Sequence, residues 1–415
     1  MKVLFISPIS PFMSIGGVER YVLNLINYFK VQKDIKTFLI LPTNEKSHRV
    51  RDEKMTIYYD NNFYIPRKKG SASDIASKAQ GFSDLVEGII KEHNIDVICA
   101  ENIIVGPPAV YSLRLNMIAA LYKTPLILRL HVYAESPLQI ELTNQLMWDH
   151  VSCVSRSVAG DCFQKGADIN KLSTDYLGVN ILDFNPAANP EFNLKKELGL
   201  EKDTKIILTA GRIITGTKSM LKEKGMVNLI EAFSRISPRF PKMRLLIGVA
   251  KALDDLKDEF DNAYEMLIGY IKIHNIENKT IVKMFELDQM PNIYRGSDLL
   301  VLPAEKNETF GQTFIEAMAC GTPVIGAKTG GIPEIISDGY NGFLVPPNDP
   351  IILAQKIEEL MNDHSTRASF IKAGIKTVKE KFTAEQQFFN FNKMLEEVAD
   401  FNEAGSYALE EALGF

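Results

Sequence analysis

Short runs of β-branched and other apolar residues alternate along this chain with segments whose apolar positions recur at helical spacing. The first half holds candidate strands KVLFIS (2–7), TFLIL (37–41), DVICA (96–100), PLILRL (125–130) and VSCVS (151–155). Between the first two lies GVERYVLNLINYF. Its Val18, Tyr21, Val22, Leu25 and Phe29 give one apolar helical face. The second half repeats the alternation with KIILTAGR (205–212), RLLIGVA (244–250), TIVKMF (280–285), DLLVLPA (298–304), PVIGA (323–327) and GFLVPP (342–347). After about residue 350 the pattern is helical. Strands and helices taken in turn predict an α/β fold with parallel sheets.

Two stretches break the rhythm. Residues 43–75 are polar, with Pro66 and the basic triplet Arg67-Lys68-Lys69, and are expected to be irregular with some strand content. Residues 183–203 open with DFNPAANPEFN and suit an interdomain linker. The 415 residues exceed one ordinary core and fit two domains. The expected division is 1–185 and 186–380, both Rossmann-like. A helical segment, 381–415, is expected to cross back to the first domain on the spacing of Phe388, Phe391, Met394, Leu395 and Val398. Residues 403–415 have no assigned role.

Composition narrows the function. A net charge of -5 and 46% hydrophobic residues describe a globular protein without a global basic field, so no nucleic-acid partner is expected. MKVLFISPIS reads as a first strand rather than a signal peptide. The run MIAALYKTPLILRL is cut by Lys123, Pro125 and Arg129, too short to span a membrane. A cytoplasmic location is expected. Cys99, Cys153, Cys162 and Cys320 show no CxxC or CxxH spacing and read as buried free thiols.

The chemistry concentrates at 299–347. A strand ending near Pro303 leads into a polar loop, then a helix beginning near Gly311 or Gln312 and stopped by Gly321. That helix is apolar nearly all round, and Glu316 is its single charge. A buried carboxylate must be paired or hydrogen-bonded. Glu316 therefore either pairs with a neighbouring Arg or Lys, or accepts hydrogen bonds from a vicinal diol such as a ribose. Glu308 lies eight residues earlier. The Phe310-Gly311-Gln312-Thr313 step between them offers close backbone approach and a helix N-terminus, features that cradle a diphosphate.

The string Glu308-Thr309-Phe310-Gly311, then Glu316-Ala317-Met318-Ala319-Cys320-Gly321-Thr322-Pro323-Val324-Ile325, then Gly330 to Ile335, resembles the signature of the retaining GT-B glycosyltransferases of the family 4 type. The resemblance implies two doubly wound domains facing across a cleft. It implies transfer of a sugar from a nucleoside-diphosphate donor with retention, no divalent metal and no separate cofactor. It places Glu308 on sugar hydroxyls and Glu316 on the donor ribose. By the same resemblance Arg212 and Lys224 grip the diphosphate, the Gly16-Gly17-Val18-Glu19 turn approaches it, and His131 touches the transferred sugar. Two positive charges suit a leaving diphosphate on physical grounds as well. Lys218 competes with Lys224, because the loop IITGTKSMLKEK is longer than the family's. Leu177-Gly178-Val179-Asn180 departs from the family's NGVD.

The acceptor is a glycan, a lipid-linked or a small molecule. Arg67, Lys68 and Lys69 near its expected border suit an anionic lipid headgroup, with peripheral contact at the inner membrane face, a phosphorylated acceptor, or a solvated loop. Three other readings stand beside this one. A glycoside hydrolase would use Glu308 and Glu316 as its pair, but needs no diphosphate clamp. An NAD(P)-dependent oxidoreductase would need G-x-G-x-x-G, and GGVE does not supply it. A non-catalytic partner subunit would not need its charged donor positions intact.

Overall fold

The computed structural model describes residues 1–13, 16–65, 70–187, 192–213, 220–250, 256–306 and 308–413, with side chains as far as 400. The chain forms two units. One comprises Met1–Met13, Tyr21–Tyr176 and Gln387–Phe415, the other Ser14–Arg20 and Leu177–Gln386. The division at 176/177 precedes the composition break at 183–203, and residues 14–20 belong with the second unit.

The first unit is built on eight strands: β1 (Lys2–Ile6), β2 (Lys36–Pro42), β3 (His48–Arg51), β4 (Met55–Asp60), β5 (Val97–Glu101), β6 (Leu126–Leu130), β7 (His150–Cys153) and β8 (Leu172–Thr174). Their order is β3-β4-β2-β1-β5-β6-β7-β8. All neighbours run parallel except β3 and β4. The central strands are continuous apolar runs because helices cover both faces of such a sheet. Leu4 pairs with Phe38 on one side and Ile98 on the other, all buried. The chain leaves β1 toward β2 and later resumes at β5, so strand order reverses beside β1. Glu101 and His131 stand at the carboxyl ends of β5 and β6.

The described residues between 43 and 75 are more regular than their polarity predicts. β4 is buried and pairs parallel with β2, Met55 opposite Thr37. A helix, Ala72–His93, begins inside the same stretch. Its Ser71 side chain accepts from the Asp74 N–H while the Asp74 carboxylate accepts from Ser71, a capping box that satisfies two otherwise unpaired donors. Arg67, Lys68 and Lys69 lie outside the described residues.

The second unit has six parallel strands: β9 (Lys205–Gly211), β10 (Met243–Val249), β11 (Thr280–Met284), β12 (Leu299–Leu302), β13 (Val324–Ala327) and β14 (Phe343–Val345). Their order is β11-β10-β9-β12-β13-β14. The reversal falls between β9 and β12. Such a switch point opens a crevice outside the strands' carboxyl ends, where ligands of open α/β sheets bind. The helix Met226–Ile236 closes one face, with Met226, Leu229, Ile230 and Phe233 packed in a core that includes Ile207, Leu245 and Val301.

Gly178-Val179 has a structural task in this unit. Val179 N–H donates to Phe382 O and Val179 O accepts from Ala384 N–H, each at 2.9 Å. A Cβ on Gly178 would stand 2.4 Å from Thr383 O. The glycine is thus fixed by a backbone contact, and the differing Leu177 and Asn180 flank it. The final helix, Ala384–Leu413, sends Phe388 and Phe391 into the first unit's core, where they pack with Tyr28 and Phe5 at ring separations of 5.1 and 6.1 Å. All four cysteines are buried and free.

Candidate functional site

The second unit's reversal point carries the residues that the 299–347 motif singled out. Gly311 ends the loop after β12 with φ +99°, and the helix Gln312–Ala319 follows with no side-chain cap. Phe314 N–H donates to Gly311 O at 2.9 Å, and no side chain caps the turn's other N–H groups. A Cβ at 311 would stand 2.8 Å from the Phe314 ring and 3.7 Å from Glu308 Cγ, so only glycine allows this turn. Gln312 is 8% exposed, and neither its Oε1 nor its Nε2 has a hydrogen-bond partner. Thr313 is half-buried in the first turn. Phe310 turns the other way: its ring is buried edge-on to Phe382 at 5.8 Å. It shapes the loop from behind and leaves only its backbone for a ligand.

The Gly330-Gly331 pair is the brace for Glu308. Gly331 N–H donates to Glu308 O at 2.8 Å. Gly330 has φ +56°, and a Cβ there would be 2.1 Å from that carbonyl oxygen. Across the loop, Lys224 Nζ lies 2.5 Å from Glu308 Oε2. Gly225 permits this approach: it caps the helix Met226–Ile236 with φ +69°, and a Cβ would overlap Pro303 O at 1.8 Å. Lys218, the rival of Lys224, lies outside the described residues.

Arg212 follows β9. Its Nη1 is 3.6 Å from Oε1 of Glu19, which is 1% exposed. Gly16 accommodates the pair, since a Cβ there would sit 2.6 Å from Glu19 Oε2 and 3.1 Å from Arg212 Cζ. The sequence assigned this glycine to phosphate approach; in the structure its first requirement is room for the Glu19–Arg212 contact. Gly17 adjoins Gln312, with 3.3 Å between its would-be Cβ and the amide oxygen. Arg212, Glu19, Gly16, Gly17, Gln312, Gly311, Glu308 and Lys224 thus form one chain of neighbours.

Glu316 lies further along the helix, and both of its sequence-level alternatives bear on it. The ion pair is present: Arg20 Nε is 3.4 Å from Oε1, and Tyr294 donates its hydroxyl to Oε2 at 2.9 Å. Arg20 is itself anchored, donating to Leu287 O at 2.7 Å and lying 5.0 Å over the Phe184 ring. Burial pushes the Glu316 carboxyl above its ordinary range, against the pull of Arg20 and the Tyr294 hydrogen bond. A ribose diol would share this carboxylate with both partners.

His131 belongs to the first unit. It is 3% exposed, and its Nε2 lies 2.6 Å from Oε2 of Glu101. Glu101, Arg20, Tyr294 and the Glu19–Arg212 pair were not found by sequence reasoning. One signal was available: Arg129 within LILRL is a charge in a buried strand, which demands a carboxylate partner. Among the described residues no cluster of three or more His, Cys, Asp or Glu side chains is placed to hold a metal, and no helix is long and apolar enough to cross a membrane.

Two parallel-sheet Rossmann-like units, with an uncapped helix at a strand-order reversal, define the GT-B class. Residues 191–377 match the family described as Glycosyl transferases group 1. The chain is 28% identical over 417 residues to an uncharacterized glycosyltransferase, MJ1178, of Methanocaldococcus jannaschii, covering 96% of this chain and 99% of that one. It is 29% identical to the N-acetyl-alpha-D-glucosaminyl L-malate synthase of Bacillus anthracis over 193 residues, 46% of this chain and 45% of the relative. In fold it is similar to Anabaena Alr3699/HepE, solved in complex with UDP and glucose. That likeness has a TM-score of 0.74 at 20% identity, over 95% of this chain and 99% of the other.

Proposed function

We propose that the protein transfers a sugar from a nucleoside-diphosphate donor to a hydroxyl acceptor with retention of anomeric configuration. The observation that carries this reading is the buried, unpartnered Gln312 amide at the uncapped start of the Gln312–Ala319 helix, next to the Gly16–Gly17 turn that adjoins Arg212 and the Glu308 loop that holds Lys224. Amide, N–H groups and cations together match a diphosphate. The solved complex of the similar Alr3699/HepE with UDP and glucose supports the donor class.

In this reading the anomeric C–O bond breaks as the nucleoside diphosphate departs with the bonding pair. Arg212, Lys224 and the N–H groups after Gly311 stabilise the charge that develops. The acceptor hydroxyl attacks from the face the leaving group vacates and gives its proton to the departing phosphate oxygen. Lys224 exchanges its bond to Glu308 for one to the diphosphate, which releases the Glu308 carboxylate to sugar hydroxyls. Glu316 accepts from the ribose, and His131 meets a hydroxyl of the transferred sugar. The chemistry assigns the whole task of charge neutralisation to these side chains, without a divalent metal or a cofactor. The acceptor is a glycan, a lipid-linked or a small molecule, met by a protein of the cytoplasm or the inner membrane face.

A thermal-shift screen with UDP-, GDP- and ADP-glucose tests the reading. One of them should raise the melting temperature in proportion to the logarithm of its concentration. It should also yield free nucleoside diphosphate in the presence of an acceptor. No shift and no release with any of the three would end the proposal.

A further inference from the structure

The first unit holds a buried cluster of charge that the diphosphate chemistry does not use. Glu101 ends β5, Arg129 lies within β6, His131 follows β6 and Tyr21 projects from the helix Gly17–Phe29. All four are at most 3% exposed. Tyr21 donates its hydroxyl to Glu101 Oε1 at 2.9 Å, and Cys99 Sγ reaches the same oxygen at 3.7 Å. Arg129 Nε lies 3.8 Å from Oε2, while its Nη1 is bonded to Asp175 and to Ser152. The guanidinium sits over the rings of Tyr21 and Phe391, at 4.9 and 4.5 Å.

Everything in this cluster converges on the imidazole. Glu101 Oε2 meets Nε2 at 2.6 Å, the His131 backbone N–H donates to Asn102 Oδ1 at 2.8 Å, and the Tyr21 ring packs on it at 4.6 Å. Nδ1 is buried and has no hydrogen-bond partner. An ionised carboxylate only accepts, so the short contact requires the proton on Nε2. A neutral ring has one such proton, which leaves Nδ1 a bare acceptor. Burial holds the ring below its ordinary pKa, and Arg129 adds to this against the pull of Glu101. A buried acceptor left without a donor costs roughly 1–3 kcal/mol.

We propose that Glu101 is the positioning residue of His131: it accepts a hydrogen bond from Nε2–H, fixes one tautomer and one ring orientation, and so presents Nδ1 as the acceptor for a sugar hydroxyl. The hydroxyl rests on the glycosyl-transfer reading; the tautomer does not.

Nitrogen-15 spectra of the full chain, with His131 identified by its loss in His131→Asn, decide the first half. Wild type should show the proton on Nε2 and none on Nδ1. A proton on Nδ1, or a mixture, overturns the proposal. Glu101→Gln and Glu101→Leu supply the second half. Folded Glu101→Leu should lose the single tautomer, and kcat with UDP-glucose should fall on the order of ten- to a hundredfold, as for other residues that orient a histidine. Glu101→Gln, whose amide oxygen still accepts, should retain more of both. Binding of UDP alone should hardly change. A folded Glu101→Leu protein with an unaltered tautomer and kcat overturns the positioning role. If no sugar nucleotide is turned over, the functional reading fails while the spectra still judge the tautomer.

Discussion

Lys224 Nζ and Glu308 Oε2 lie 2.5 Å apart, so two side chains assigned to different parts of one donor neutralise each other. Glu19 stands in the same relation to Arg212, and Arg20 to Glu316. The charges proposed to meet the donor are thus held in internal pairs in this unit. Such pairs keep long side chains in place, and in the proposed reaction a diphosphate competes with a carboxylate for Lys224 and for Arg212.

That competition has a sign. Glu308→Gln removes the internal partner of Lys224, so UDP should bind several-fold tighter while sugar transfer falls. Lys224→Met should lower transfer on the order of 10²–10³-fold, the usual loss for one stabiliser of a leaving charge. Stability should change by no more than about 1 kcal/mol, since the pair is only partly buried. Calorimetric titration with UDP and steady-state kinetics check both. Weaker UDP binding in Glu308→Gln would contradict the exchange.

Arg212→Ala should reduce turnover far more than stability, because the guanidinium is 44% exposed. Turnover and the urea midpoint are the measurements. A fully active variant would remove Arg212 from the clamp.

Glu316→Gln should weaken donor affinity about tenfold, the worth of a hydrogen bond to a charged group. It should also change the pH dependence of stability. Burial raises the folded-state pKa above the ordinary 4.5. In the window above 4.5 the folded state keeps a proton that the unfolded chain has lost. The stability this supplies is full at lower pH and is lost as pH rises through the folded value. Urea unfolding between pH 4 and 7 should lose that component in Glu316→Gln. An identical profile and unchanged affinity would refute both roles.

His131 titrates in the opposite sense. Its folded-state pKa lies below the ordinary 6.5. As pH falls below 6.5 the unfolded chain takes a proton that the folded one refuses, and stability drops until the folded value is reached. His131→Asn should make that slope shallower by up to about 1.4 kcal/mol per pH unit. Some slope should remain, since His93 and His150 are also shifted down. Chemical unfolding from pH 5 to 7 measures it, and an undiminished slope in a folded variant would refute this.

Gly330→Ala should displace the Glu308 loop. Its left-handed backbone alone costs roughly 1–2 kcal/mol, and the Cβ would stand 2.1 Å from Glu308 O. Gly339 has φ +74° with open space around it. Gly339→Ala should therefore show the strain alone, and Gly330→Ala a larger drop in melting temperature with lost transfer. Equal effects would deny the brace.

The chain's own pattern was enough for the parallel sheets, the buried Gln312–Ala319 helix and its stop at Gly321. These depend on local periodicity and on the backbone freedom of single residues, which neighbouring residues express. β3 escaped because all four of its residues are exposed, leaving no burial signal. β4 escaped because polar residues surround a short run. The partners of the charged residues were not legible at all. Arg20 and Glu316 are separated by most of the chain, Glu19 and Arg212 by nearly half of it, and Arg129 showed only as a charge interrupting an apolar strand. Sequence fixes which residues carry charge. Only the folded chain decides which opposite charge lies within reach, because ion pairing depends on distance and burial rather than on position along the backbone.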